Sequence, residues 1–350
     1  MKPLLDHHLY LPKLQKRSPI RLDSIRLSST SIFIEVSALF AQSWEKGPKD
    51  PYDEDELYHH MIILCTTFCQ LVKHGQGQVK ITQKSTPLDL VTDMDKGVEM
   101  LLRIWLNHWY PHHKIVGEEG TKECFGPQEY LWYIDPVDGT SNFVEGRLDV
   151  SMHVGCFKNG KPILCFVGLP FENSLYASHH LRKNIAEIDT QDLKEKSISV
   201  APLTPSHTLG TEYMKSRTTE SRLFQTLCTS LHMRPHQVRS IGVNIVDILR
   251  GKNSCFYKPG AKLWDIMPPL GLLHLAFGQN LAVSVWYPSW DAQPALSKHL
   301  FNPDKGLLSW TNTSITANCR IGLIIASSTT EPHIEETIVS VLRSHNLRIS

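Results

Sequence analysis

The segment that most constrains this chain is Tyr130–Thr140, YLWYIDPVDGT, where an apolar, β-rich run passes directly into two carboxylates set three residues apart around a proline. Tyr130–Ile134 predicts a strand, and the turn after it can aim Asp135 and Asp138 at one point. A second short β-rich run, Lys114–Gly117, also ends in acid, Gly117-Glu118-Glu119. Both acidic clusters therefore belong at strand exits. Taken alone, Asp-x-x-Asp-Gly is equally a surface turn in which Asp and Gly satisfy the backbone. The rest of the chain decides between the two.

At 350 residues the chain can bury one large or two medium cores. Hydrophobic residues at 41% and charged residues at 20% exclude the disordered class. With 36 Lys and Arg against 35 Asp and Glu, no basic face addresses a nucleic-acid backbone. Apolar runs such as Ile163–Pro170 and Ile321–Ala326 fall short of the roughly 20 residues of a membrane span. The eight cysteines lack paired short spacing and read as reduced core thiols of a cytoplasmic protein, Cys65 and Cys69 lying within a helical pattern. Adjacent histidines (His7-His8, His59-His60, His112-His113, His179-His180) diverge in direction and read as structural or solvated.

Residues 1–53 read as an N-terminal extension and linker, broken by Gly47-Pro48 and Asp50-Pro51. A first domain is expected over 54–192. Apolar residues Leu57, Met61, Leu64, Cys65, Phe68 and Leu71 share one helical face. A second helix runs from about Met94 to Trp109 behind a capping box at Thr92-Asp93-Met94-Asp95. Val150–Phe157 and Ile163–Gly168 flank Asn159-Gly160, a hairpin signal. The segment Leu181–Glu195 is polar and unpatterned. A second α/β domain is expected over 193–350: strands at Ile198–Ala201, Arg239–Ile241, Cys255–Lys258, Ala282–Trp286 and Ile321–Ala326, and helices at Ser221–Leu231, Asn244–Leu249, Asp265–Phe277 and Ile334–Ser344.

Two aspartates and the Val137 carbonyl suit Mg²⁺, a hard cation that takes one or two carboxylates plus phosphate oxygens and water. If a helix starts at Gly139-Thr140-Ser141-Asn142, its free N–H groups face the same point. Read as DPVDGTSNF, Asp135–Phe143 resembles the signature of the inositol monophosphatase family. Three further stretches agree in order and spacing: Leu90-Val91-Thr92-Asp93-Met94-Asp95 with Lys84 ahead, Gly117-Glu118-Glu119, and Gly260-Ala261-Lys262-Leu263-Trp264-Asp265.

That resemblance implies an α/β (α+β) fold, a layered αβαβα sandwich of the inositol monophosphatase/fructose-1,6-bisphosphatase type. It implies Mg²⁺-dependent hydrolysis of a small phosphorylated metabolite by an activated water, and a homodimer. Glu118, Asp135, Val137 through its carbonyl, Asp138 and Asp265 would hold two or three Mg²⁺ ions. Asp95 and Thr140 would orient the water. Gly139, Thr140 and Ser141 would hold the phosphate through their main chain, with Asp265 facing substrate and Lys84 beside the outermost ion. Glu119 stays open between ligand and solvated side chain, while Asp93 reads as a helix cap and Trp264 as core.

The chain also departs from the family pattern. Ile266-Met267-Pro268-Pro269 follows Asp265 where small residues and glycine are usual, and Ala276-Phe277-Gly278-Gln279 replaces a double glycine. Lys258 stands where inositol-specific members tend to carry glutamate, and a cation there suits a second phosphate. Inositol monophosphate, a 3′(2′),5′-bisphosphate nucleotide and fructose 1,6-bisphosphate are the candidate substrates, and a catalytically silent phosphometabolite-binding relative is the alternative.

Overall fold

The computed structural model describes residues 53–83, 90–120, 129–182, 184–198, 207–211, 219–278, 282–288, 295–300, 321–326, 340–341 and 348–349. Asp53 opens helix α1 (Glu54–Gly75) by accepting the N–H groups of Asp55 and Glu56. The apolar face read from the sequence is buried along its whole length. A short antiparallel pair, β1 (Ile81–Gln83) and β2 (Leu90–Thr92), leads into α2 (Asp93–Trp109). Thr92 caps α2, with its hydroxyl accepting from Met94 and Asp95 while Asp95 accepts the Thr92 N–H. The expected capping box is present; Asp93, read as the cap, is the first helical residue instead.

The first sheet has seven strands: β3 (Lys114–Gly117), β4 (Tyr130–Asp138), then, after the short helix α3 (Thr140–Val144), β5 (Ser151–Lys158), β6 (Lys161–Leu169), β7 (Ser174–His179), β8 (Ile185–Asp189) and β9 (Glu195–Ile198). Only β3 and β4 run parallel; the rest meander antiparallel. Asn159 and Gly160 take positive φ of 49° and 79° at the β5–β6 turn, the conformation an Asn-Gly hairpin requires. The stretch read as unpatterned contains β8 and most of the link to β9. Strand β8 is short and mostly buried on both faces, and β9, at the sheet edge, is exposed on both, so neither alternates clearly. Of the strand expected at Ile198–Ala201 only Ile198 lies within the described residues, where it ends β9, the last strand of this first sheet, and the sheet continues past residue 192.

The second sheet also has seven strands. It comprises β10 (Thr208–Thr211), β11 (Arg234–Gln237), β12 (Cys255–Ala261), β13 (Ala282–Pro288), β14 (Ala295–Leu300), β15 (Ile321–Ala326) and β16 (Arg348–Ile349), in the order β11-β10-β12-β15-β13-β14-β16. Helices α4 (Thr219–Ser230), α5 (Ile241–Leu249) and α6 (Leu263–Phe277) intervene. The strand expected at Arg239–Ile241 does not form: Ser240 caps α5 and Ile241 is its first residue, while the neighbouring strand β11 ends at Gln237. The helix expected at Ile334–Ser344 lies outside the described residues apart from 340–341.

Helices α1 and α2 cover one face of the first sheet and α5 and α6 the other, with the second sheet beyond α5 and α4 against β11. Two cores result. One joins α1 and α2 to Trp132, Ile134, Met152, Val154 and Cys156; the other joins α5 and α6 to Leu131, Tyr133, Phe157 and Phe256. The αβαβα order of layers agrees with the expected class. Among the described residues no helix is long and apolar enough to cross a membrane. The described cysteines Cys65, Cys69, Cys156, Cys165, Cys228 and Cys255 are buried thiols outside any disulfide, as read.

Candidate active site

The proline turn expected after the strand is in fact a bulge inside it. Asp135 pairs across the sheet with His153 and Asp138 with Ser151, so three steps on β4 match two on β5. Residues three apart on a regular strand face opposite ways. The extra residue restores parity and places both aspartates on the face turned toward α5 and α6. Pro136 fits such a position because a bulge spares one ladder donor and proline has none to give. Val137 donates its N–H to Asp135 Oδ1 at 3.2 Å, locking the bulge.

Asp138 is buried, and its Oδ2 is reached from both halves of the molecule: it accepts from Ser240 Oγ at 2.6 Å and the Gly242 N–H at 3.2 Å, and Ser151 Oγ lies 2.8 Å away. Ser240 also caps α5, accepting from Val243, so this carboxylate sits at the positive end of a helix. Gly139 follows with φ of 86°, and a Cβ there would stand 2.9 Å from the Arg239 carbonyl oxygen. Only glycine is unstrained there. Helix α3 does start at Thr140, but its five residues carry a small dipole. Gly139, Thr140 and Ser141 are partly exposed, which opens the buried acids to solvent at this edge.

Glu118 is fixed by its N–H on the Ile134 carbonyl at 3.3 Å, an extension of the β3–β4 pairing. Glu119 donates its N–H to Glu99 Oε2 at 2.7 Å, and Glu99 in turn pairs with Arg103 at 2.7 Å. Carboxylate oxygens of Asp95, Glu118 and Glu119 lie within 4.8 Å of one another. Thr140 Oγ1 lies 3.1 Å from Asp95 Oδ1 and 3.0 Å from the Val137 carbonyl oxygen. Asp265, on the first turn of α6, accepts the Lys262 N–H at 2.8 Å. Trp264 beside it is buried in the second core, as read.

Electrostatics marks one cluster. Burial holds the Asp135 carboxyl well above its ordinary range, and Glu118, Asp138, Asp265 and Asp95 push it further up. Burial raises Asp265 to about 6, opposed by Lys258 and by the Lys262 N–H and helped by Asp138. Burial likewise raises Asp95 to about 6 against the hydrogen bonds of Thr92 and Thr140. Carboxylates so crowded and dehydrated are self-repelling until a cation joins them, and their all-oxygen donors fit a hard divalent ion.

Of the residues read from the sequence, Glu118, Asp135, Val137, Asp138, Asp265, Asp95 and Thr140 fall in this cluster, and Lys84 lies outside the described residues. Ser151, His153, Ser240 and Gly242 were missed. The signal for two of them was available: Ser151 and His153 are polar at alternate positions in the otherwise apolar strand β5. Where described, the paired histidines are structural or solvated, as read, with His112 exposed. His113 stacks on Tyr130 and bonds Trp132 Nε1, and His180 pairs with Glu54.

The sequence model of the inositol monophosphatase family matches residues 53–282. Inositol monophosphatase 1 of Bos taurus is 29% identical over 231 residues, covering 62% of this chain and 79% of its own. Inositol-1-monophosphatase of Bacillus subtilis is 30% identical over 190 residues, 53% of this chain and 69% of its own. Among solved structures, an IMPase from Thermotoga maritima superposes with a TM-score of 0.57 at 18% identity, over 82% of this chain and 98% of that one. An IMPase/NADP phosphatase complexed with Mg²⁺ and phosphate gives 0.62 at 16% identity, over 83% and 96%. With the fold, the acidic cluster and the matched length in agreement, this chain belongs to the inositol monophosphatase family and is a metal-dependent phosphoric monoester hydrolase.

Proposed function

We propose that the chain hydrolyses a small phosphate monoester, with inositol monophosphate the first substrate, at the cluster of Glu118, Asp135, Asp138 and Asp265. The observation that carries this reading is the convergence on Asp135 of four further carboxylates from four separate segments. Glu118, Asp135, the Val137 carbonyl, Asp138 and Asp265 would hold the Mg²⁺ ions. Bound there, Mg²⁺ neutralises phosphate charge and lowers the pKa of a water toward neutrality.

The remaining steps belong to the chain. The Asp95 carboxylate and the Thr140 hydroxyl, joined at 3.1 Å, supply an acceptor and an orienting oxygen for a water approaching the phosphorus. The N–H groups of Gly139, Thr140 and Ser141, all partly exposed residues, would receive the phosphate oxygens. Phosphoryl transfer to water asks for alignment and charge neutralisation and requires no covalent nucleophile.

A bisphosphate substrate is the second reading, favoured by Lys258 and Lys262, whose charge and main-chain N–H both bear on Asp265. The test is phosphate release from inositol phosphates, sugar phosphates and 3′-phosphonucleotides, with Mg²⁺ and with chelator, in wild type and Asp138→Asn. Release that needs Mg²⁺ and is lost in the variant is expected. Silence across the panel while Mg²⁺ and phosphate still bind would establish a non-catalytic binding protein instead.

A further inference from the structure

The double proline that departs from the family pattern sits in the second turn of α6, not at its start. Proline has no N–H, so Pro268 and Pro269 cannot donate to the carbonyls four residues earlier, those of Trp264 and Asp265. The main chain at Asp265 thus lacks the helical donor that would fix it. Strand β5 runs alongside. Its residues Ser151, His153, Gly155 and Phe157 share one face, and each meets this region. Ser151 reaches Asp138, and a Cβ on Gly155 would stand 3.0 Å from Pro268 Cβ. Phe157 Cζ would lie 3.2 Å from a Cβ on Gly271.

His153 lies between these contacts and is wholly buried. Its Nε2 is 2.9 Å from Ser151 Oγ and 3.6 Å from Asp138 Oδ2, and its Nδ1 is 4.0 Å from Asp135 Oδ2. Nδ1 has no partner in good hydrogen-bond alignment, yet the Asp265 main-chain carbonyl bears on the ring. Ser240 and Gly242 already supply Asp138 Oδ2 with donors, which frees the Ser151 proton for Nε2. An imidazole that accepts at Nε2 carries its proton on Nδ1.

We propose that His153 is a positioning residue: it accepts from Ser151 at Nε2 and donates from Nδ1 to the Asp265 carbonyl that Pro269 leaves without a helical donor. One ring thereby ties the carboxylates of β4 to the one delivered by α6. The role rests on reading Asp265 as a metal ligand, and residues that orient such ligands typically change affinity by about 10- to 100-fold.

The test combines spectroscopy on wild type with Mg²⁺ calorimetry on variants of the full chain. In ¹⁵N-histidine-labelled, metal-free protein at about pH 8, the His153 signal, assigned by its loss in a variant, should be that of the Nδ1–H tautomer. His153→Asn keeps a donor near the Nδ1 position and should hold Mg²⁺ affinity within about threefold. His153→Gln and His153→Leu should lose about 10-fold or more. Pro269→Ala restores an N–H for the Asp265 carbonyl and should shrink the loss caused by His153→Leu. An Nε2–H tautomer, or equal affinity for the Asn and Gln variants, overturns the proposal. Wild-type protein that binds no Mg²⁺ would refute the metal reading instead, and the tautomer measurement, which needs no metal, still decides the histidine's role.

Discussion

Asp95→Asn in the metal-free protein offers a quantitative test of the crowded acids. Asp95 rises from an ordinary 3.8 to about 6 because it is buried. A carboxyl with a raised folded pKa binds more protons folded than unfolded, so stability falls as pH climbs through the interval between the two values. Linkage over that interval makes the ionised side chain cost about 1.6 kcal/mol at pH 5 and about 3 kcal/mol at pH 8. The asparagine amide can keep the local bonds. Its oxygen can accept from Thr92, and its NH₂ can face Thr140, whose hydroxyl then donates to the Val137 carbonyl. Urea unfolding in chelator should therefore show the variant more stable than wild type at pH 8, and its stability should lose about 1.4 kcal/mol less between pH 5 and pH 8. Saturating Mg²⁺ should erase or reverse the ranking. A variant no more stable at pH 8, with wild-type pH dependence, would show that Asp95 is not held ionised against burial, and the reasoning would fail.

Three further outcomes are expected. Asp138→Asn should cut turnover by orders of magnitude while leaving the far-ultraviolet circular dichroism intact, since Ser240 Oγ and the Gly242 N–H can still donate to an oxygen there; unchanged turnover removes Asp138 from the mechanism. Gly242→Ala should destabilise by about 1–3 kcal/mol in thermal unfolding, because its Cβ would fall on Ser151 Oγ and His153 Nε2, and the same crowding should weaken Mg²⁺ binding. Lys258→Glu should shift the ranking of a phosphatase panel away from bisphosphates; an unchanged ranking would place Lys258 outside substrate selection.

The acids were legible because the chemistry that needs them also fixes their neighbours: a strand before Asp135, glycine after Asp138, a threonine cap before Asp95. What holds them in place was harder to read. Ser240 looked like part of a strand because Arg239–Ile241 is short and apolar at its end, whereas its hydroxyl serves α5 and Asp138 at once. The bulge was invisible since Pro136 reads as a turn in any local window, and only the pairing with β5 shows the strand continuing through it. Strand β8 escaped because it is short, and the edge strand β9 because its residues Glu195–Ile198 are polar and exposed on both faces, which leaves no alternation.

Strand β4 feeds two cores at once. Trp132 and Ile134 belong to the core under α1 and α2, while Leu131 and Tyr133 belong to the core under α6, and Asp135 and Asp138 emerge on that second side. Chain length is therefore as restricted here as residue identity. One residue inserted or deleted between 130 and 134 would flip the strand on one side of the change relative to the other, sending its aromatics into the opposite core or turning both aspartates away from α6. Natural or engineered length variation has room beyond the Asn159-Gly160 turn or at the far edge, but not in the nine residues of this strand.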